Sequence, residues 1–248
     1  MEARSDALVI VPTYNEVANL DGLVSKLLAH PGLSVLVVDD NSPDGTGALA
    51  DALAERFGRR VSVLHRPGKL GLASAYIEGF QRALRAEYRL IAHMDADFSH
   101  DPADVPRLVA ALETADVAIG SRYVKGGRAE NWPLRRRVMS RGGSVYARTV
   151  LGLPVHDPTG GFKCFRREAL ARIPLEQIHA RGFGFMVEMN WRCYRQGLRL
   201  VEVPICFVDR KLGQSKMSSR IFFEALVLVW RLRLLGDGGP KDPRLSSP

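Results

Sequence analysis

Cysteine is scarce in this chain, and its spacing excludes several architectures. Cys164, Cys193 and Cys206 are the three cysteines among 248 residues. They form no CxxC pair, and an odd number cannot all be bridged. A disulfide-stapled scaffold is therefore excluded, a reduced cytosolic setting fits, and the three read as small buried apolar side chains. Histidine shows no metal-type spacing, so His65 and His93, both on strand patterns, read as core or edge residues. No run of about 18 unbroken apolar residues occurs, which argues against a spanning helix. The nearest candidate, "IFFEALVLVWRLRLL" at 221–235, is interrupted by Glu224, Arg231 and Arg233. As a helix it would reach roughly 22 Å at about 1.5 Å per residue, short of a hydrocarbon core of about 30 Å. Two readings of it stand: a C-terminal core helix, or a helix lying in a membrane interface with Trp230 and the arginines at headgroup level. The N-terminal "MEARSDALVI" has an early acid and no long apolar core, unlike a signal peptide.

Negative charge is also short. Asp and Glu number 27 against 35 Lys and Arg, a formal net charge of +8. Such an excess implies an anionic partner: nucleic acid, a phosphorylated metabolite or a membrane surface. Nucleic acid is the poorest fit, because only Tyr123 and Trp132 accompany the arginines of the basic stretch and no recognised binding module appears.

What is present is a regular alternation. "ALVIVP" (7–12) and "LSVLVVDD" (33–40) are continuous apolar runs of buried-strand type. Leu20, Leu23, Val24, Leu27 and Leu28 between them follow helical spacing. "VSVLH" (61–65) and "YRLIAHMD" (88–95) add strands, with helices expected near 46–57 and 71–86. This rhythm predicts an α/β fold with a mostly parallel sheet flanked by helices, and ligands beyond the carboxyl ends of its strands. The polar clusters "TYNE", "DDNSPDGT" and "DADFSHD" fall at those ends. Further on, "PADVPRLVAALE" predicts a helix, "DVAIGSRY" a strand, residues 136–151 a helix and "DPTGGFKCF" a turn into a strand. "GFMVEMNWRCYRQ" predicts a helix capped at Gly197, "LRLVEVPICFVDR" one last strand, and 236–248 a disordered tail.

Among the motifs, "DGTGALA" and "RPGKLGLAS" imitate phosphate-binding loops. The first follows the second strand beside Asp39 and Asp40, where a pyrophosphate needs positive charge, and the second lacks the Lys-Ser/Thr pair. Asp95 and Asp97 carry more weight. At i and i+2 on a strand they share a face, which offers two hard oxygen ligands to Mg²⁺ or Mn²⁺ with substrate phosphates completing the shell. The bland alternative is helix capping, above all for Asp101 before Pro102. Arg122, Arg135, Arg136, Arg137 and Arg141 could be a solvated face, but Arg122 ends a strand at the aspartates' edge and suits bidentate phosphate binding. Glu188, in an apolar helix, needs a partner.

Taken together, "VPTYNE", "VVDDNSPDGT", "GLASAYIEGF" and "DAD" resemble the inverting, metal-dependent glycosyltransferases of family 2, which have the GT-A fold. "GSRYVKGGRAENWP", "RRRVMSRG", "DPTGGFKCFRREAL", "GFMVEMNWR" and "EVPICFVDRKLGQSK" are similar to the dolichyl- and polyprenyl-phosphate mannosyltransferases within it. The match runs from about residue 7 to 218. It implies one GT-A domain over 1–235, with a donor half at about 7–100, an acceptor half at 101–218 and a C-terminal helix at 219–235. It also implies transfer of mannose from GDP-mannose to a polyprenyl or dolichyl monophosphate on the cytoplasmic face of a membrane, and it leaves room for a separate membrane-anchoring subunit. By the same resemblance Pro12, Tyr14, Glu16 and Asp40 match donor-nucleotide positions, and Asp95 and Asp97 the metal and diphosphate site. Arg122, Arg136 and Ser140 match a lipid-phosphate clamp, and Arg210 a position near the donor diphosphate. Some members carry Gln where this chain has Ser99, so no third protein ligand is implied. The alternatives are a different donor, such as UDP-glucose, on the same kind of lipid, or a non-catalytic nucleotide- or RNA-binding domain.

Overall fold

The computed structural model describes residues 6–178, 180, 182–209 and 219–235. Its first third follows the expected alternation. β1 (Ala7–Thr13), β2 (Leu33–Asp39), β3 (Val61–His65) and β4 (Leu90–His93) are joined by α1 (Val17–Leu28), α2 (Thr46–Phe57) and α3 (Leu72–Arg85). β1 pairs in parallel with β2 on one side and β4 on the other. Both of its faces are covered, which is why it reads as a continuous apolar run rather than an alternating one. α1 buries Leu20, Leu23, Val24, Leu27 and Leu28, the stripe that its spacing predicted. β4 is shorter than expected and ends at His93, so Asp95 and Asp97 stand in the loop beyond the strand rather than on it.

The rest of the chain inserts into and extends this sheet. β5 (Val117–Ser121), β7 (Lys163–Arg166) and β8 (Leu200–Pro204) complete a seven-stranded sheet in the order β3-β2-β1-β4-β7-β5-β8. β7 runs antiparallel to both neighbours, and the other pairings are parallel. A short turn at Pro102–Asp104, capped by the Asp101 carboxylate accepting from the Ala103 N–H at 3.0 Å, leads into α4 (Val105–Ala111).

A two-stranded sheet of β6 (Arg128–Glu130) and β9 (Cys206–Val208) was not expected. The single strand foreseen over "LRLVEVPICFVDR" divides at Ile205. Its N–H donates to Ser121 in the large sheet, and its carbonyl accepts from the Arg128 N–H in the small one. Pro204, which has no N–H to offer a ladder, closes β8 at that point.

α5 (Leu134–Leu151) begins directly after Pro133, two residues before the expected start, with the Arg136 and Arg137 N–H groups donating to the Pro133 carbonyl. α6 (Arg167–Ala171), α7 (Phe183–Arg195) and α8 (Ser219–Leu235) follow. α7 stops as predicted. Gly197 adopts φ +69°, the Leu198 N–H bonds to Cys193 and the Gly197 N–H to Tyr194, the paired bonds of a left-handed C-terminal cap. Glu188 on α7 is buried and structural: it accepts from Arg192 at 2.7 Å and from the Ala180 N–H at 3.0 Å. Cys164 and Cys193 are buried, and Cys206 is half-buried.

α8 has one side in the core and one side exposed. Val229 and Leu232 are buried in the core, and the Tyr146 hydroxyl of α5 donates to the Leu226 carbonyl. Val227, Trp230 and Leu234 on the other side are exposed. No described helix is long and apolar enough to cross a membrane. The tail from 236, and with it Arg210, lies outside the described residues.

Candidate active site

A cleft of about 270 Å³ opens at the carboxyl ends of β4 and β5. Asp95, Asp97, Arg122, Arg136 and Ser140 all line it, so five of the residues singled out from sequence meet in one place.

The acidic wall is held by neighbours in sequence and in space. Tyr76 on α3, fully buried, donates its hydroxyl to Asp95 Oδ1 at 2.8 Å. Burial and the adjacent Asp95 carboxylate push that phenol well above its ordinary range, so it remains a donor. Asp97 Oδ1 accepts from the Ser99 N–H at 3.1 Å. His100 Nδ1 lies 3.9 Å from Asp95 Oδ2, and burial pushes the imidazole down to about 4, which keeps it neutral. His100 Nδ1 and Ser99 Oγ are both buried with no hydrogen-bond partner.

The basic wall is built from distant segments. Arg122 follows β5 and is almost entirely buried. Its Nε and Nη2 donate to Asp157 at 2.7 and 2.6 Å, Nη2 donates also to Thr159 Oγ1 at 2.9 Å, and its backbone N–H reaches Asp157 at 3.0 Å. Burial alone would make this guanidinium easier to neutralise, but the Asp157 carboxylate outweighs it and raises the Arg122 pKa. The same pairing outweighs burial at Asp157 and holds its carboxyl below the usual range. Glu202 on β8 fixes the turn that presents Asp157 by accepting its N–H at 2.9 Å. Arg136 on α5 pairs with Asp209, just past β9, at 2.5 Å, and its guanidinium lies 4.4 Å from the Trp132 ring centre. Ser140, one turn later, accepts from the Tyr123 hydroxyl at 2.7 Å.

Beneath the cleft lies Lys163 on β7, fully buried, its ammonium donating to the Gly160 carbonyl at 2.5 Å and facing Met186 Sδ at 3.4 Å. Burial lowers its pKa to about 8. Asp157, Thr159, Asp209, Trp132, Tyr76 and Lys163 escaped the sequence reading. Asp157, Thr159 and Asp209 act through arginines 35, 37 and 73 residues away, and nothing in "DPTGG" announces that its Asp will face an arginine 35 residues earlier.

The donor-nucleotide candidates sit apart from this cleft, at the ends of β1 and β2. Pro12 is on β1, paired with Val38. Tyr14 lies under the Lys69 ammonium, 3.7 Å from the ring centre. The Glu16 carboxylate accepts from Asn19 at 2.8 Å, and its N–H donates to Thr46. Asp40 is engaged within the protein. Its carboxylate, nearly buried, pairs with the fully buried Arg66, which also binds Glu78 and Ser74, and it accepts the Gly71 N–H at 3.4 Å.

The acidic wall suits a divalent cation. Two carboxylates with the unpartnered Ser99 Oγ near them form a corner of hard oxygen donors, and the described residues hold no cluster of three or more His, Cys, Asp or Glu side chains that could hold a metal. Such a set fits an ion that takes one or two carboxylates and completes its shell from substrate phosphates and water.

Comparison with known proteins agrees with this layout. The family model "Glycosyl transferase family 2" matches residues 8–173. A polyprenol monophosphomannose synthase of Mycolicibacterium smegmatis is 48% identical over 230 residues, covering 91% of this chain and 87% of that protein. An undecaprenyl-phosphate mannosyltransferase of Micrococcus luteus is 49% identical over 225 residues, covering 90% and 92%. Among solved structures, a mannosyltransferase of Pyrobaculum calidifontis in complex with GDP-Man and Mn²⁺ superposes with a TM-score of 0.55 at 17% identity, covering 98% of this chain and 78% of that one. The sheet order, the acidic loop after β4 and these matches lead to one statement: this chain belongs to glycosyltransferase family 2.

Proposed function

We propose that the protein transfers mannose from GDP-mannose to a polyprenyl monophosphate, with inversion at the anomeric carbon, at the cytoplasmic face of a membrane. The observation that carries this reading is the pairing of walls. Asp95 and Asp97 on one side of the cleft, and Arg122, Arg136 and Ser140 on the other, are the complement of a metal-bound diphosphate facing a second phosphate. Both long relatives are named for mannosyl transfer to lipid phosphates.

Asp95 and Asp97 would hold Mg²⁺ or Mn²⁺, which when bound neutralises charge on the diphosphate as it leaves. Arg122, immobilised by Asp157, and Arg136, immobilised by Asp209, present fixed donors to the acceptor phosphate. An alkyl phosphate is already anionic near neutral pH, so one of its oxygens attacks the anomeric carbon without a protein base. The sugar–oxygen bond to GDP breaks as the new one forms, and no proton has to be delivered. The work of the arginines is orientation and charge compensation. Arg210 is assigned near the donor diphosphate by resemblance alone.

α5 and α8 support the membrane side of the reading. Arg136, Met139, Ser140, Gly143 and Tyr146 of α5 face the cleft, while Leu134, Val138 and Val145 share the opposite face and are exposed. On α8, Leu228 and Val229 face the cleft, and Val227, Trp230 and Leu234 are exposed between Arg231 and Arg233. An apolar stripe edged by arginines suits an anionic bilayer surface, and a lipid phosphate leaving that surface would have the cleft directly behind the helices.

The test is release of GDP from GDP-mannose, measured with and without polyprenyl phosphate and with and without a chelator. Release that needs both lipid and metal, and that disappears in Asp97→Ala, supports the reading. Equal release from UDP-glucose, or release indifferent to metal, overturns it.

A further inference from the structure

The geometry points to Trp132 as the residue that sets the spacing of the two acceptor-side arginines, a positioning role resting on the proposed function of the cleft. Trp132 stands in the loop between β6 and α5, next to Asn131, whose φ of +60° turns the chain inward before Pro133 starts the helix. Its indole is 6% exposed and lines the cleft. The Arg136 guanidinium carbon lies 4.4 Å from its ring centre and that of Arg122 5.3 Å. One aromatic ring thus serves two guanidiniums that arrive from different elements, Arg122 from the end of β5 and Arg136 from the first turns of α5.

The ring is itself braced. Phe207 on β9 meets it edge-on at 5.3 Å and also sits 5.5 Å from Arg122. The pairing of β6 with β9 brings Trp132 and Asp209 to the same edge, so Arg136 is held by an aromatic face and a carboxylate from the segments that follow the two strands of one small sheet. Two like charges near one another repel, and an electron-rich ring face offsets that repulsion where each must also keep donors for a phosphate. The indole Nε1 is buried with no hydrogen-bond partner. Buried unsatisfied N–H groups are costly, and a phenylalanine would fill the site without one. A guanidinium cannot accept from an indole N–H, so the ring face is what the two arginines meet.

Steady-state transfer by the full chain, with farnesyl phosphate as a short acceptor, tests this. Trp132→Leu keeps an apolar side chain but removes the face, and it should raise the acceptor KM about tenfold, with donor KM and kcat within about twofold. Trp132→Phe should recover most of that loss. An unchanged acceptor KM in Trp132→Leu overturns the proposal, as does a Phe variant as poor as Leu, which would make the N–H the working group. A parallel fall in kcat and donor affinity would show a merely structural residue. Arg136→Ala is run beside them. If it raises the acceptor KM while Trp132→Leu does not, the positioning role alone fails; if neither does, the acceptor-clamp reading fails with it. Should Trp132→Leu not fold, Trp191→Phe/Trp230→Phe leaves Trp132 as the sole tryptophan emitter. Its fluorescence should change on adding farnesyl phosphate and not on adding GDP-mannose alone, and silence toward farnesyl phosphate overturns the role.

Discussion

Asp157→Asn tests how far the basic wall depends on one buried ion pair. Asp157 is fully buried and accepts from Arg122 Nε, from Nη2, from the Arg122 backbone N–H and from Thr159. Removing one partner of a buried pair typically costs about 3–5 kcal/mol, because the other charge is left uncompensated. An asparagine oxygen can still accept one of the Arg122 bonds, whereas its NH₂ opposes the other. We therefore expect a loss at the lower end, about 3 kcal/mol, or a fall in Tm of about 6–12 °C for a chain of this size. The pH dependence has a definite sign. Asp157 has a depressed folded pKa, so its contribution is present above the ordinary carboxylate range and is lost as pH falls through the folded value. Wild type and Asp157→Asn should converge in stability in acid. Urea denaturation from pH 7 downward measures this, alongside turnover at pH 7, which should drop at least tenfold as Arg122 loses its orientation. The double variant Arg122→Met/Asp157→Leu removes both charges and should recover to within about 2 kcal/mol of wild type, without recovering transfer. A single variant within about 0.5 kcal/mol of wild type and fully active would refute the reasoning, as would transfer by the double variant.

Arg136→Ala should raise the acceptor requirement with donor affinity nearly unchanged, and Arg136→Lys should restore part of it, since a point charge cannot reproduce a planar fork; wild-type kinetics in both Arg136→Ala and Ser140→Ala would place the acceptor elsewhere. Asp40→Ala should cost about 3 kcal/mol by stranding the buried Arg66, seen as an earlier urea midpoint, and should weaken GDP binding to the folded variant; unchanged GDP affinity by calorimetry would count against a donor-site role. Lys163→Met should gain stability relative to wild type at pH 7. Wild type should close that gap as pH rises from about 8 to 10.5, because over that window the unfolded chain binds the proton that the folded one has released; a gap independent of pH would discount the buried charge. Val138→Glu and Trp230→Glu should each weaken binding to vesicles containing anionic lipid while GDP affinity is preserved, with unchanged flotation counting against α5 and α8 as the docking face.

Local pattern was enough to determine the elements of the donor half and the positions of their polar ends. A parallel strand covered on both faces must be apolar throughout, and a surface helix must repeat its apolar side chains every three or four residues, so β1, β2 and α1 declare themselves within a dozen residues each. The shared side of Arg136 and Ser140 on α5 was legible for the same reason, whereas Asp95 and Asp97 meet in the loop beyond β4 rather than on the strand face that their spacing predicted. What a charged side chain does once placed was not legible. Asp40 and Asp95 both follow apolar strands, yet one is consumed by Arg66 and the other lines the cleft, a difference made by α3 and the loop before it. Arg122 meets Asp157 and Arg136 meets Asp209 only because β7 enters the sheet antiparallel between β4 and β5, and because the chain crosses from β8 to β9 at Ile205. Those partners are 35 and 73 residues apart, and pairings at such range depend on strand order, which no local spacing encodes.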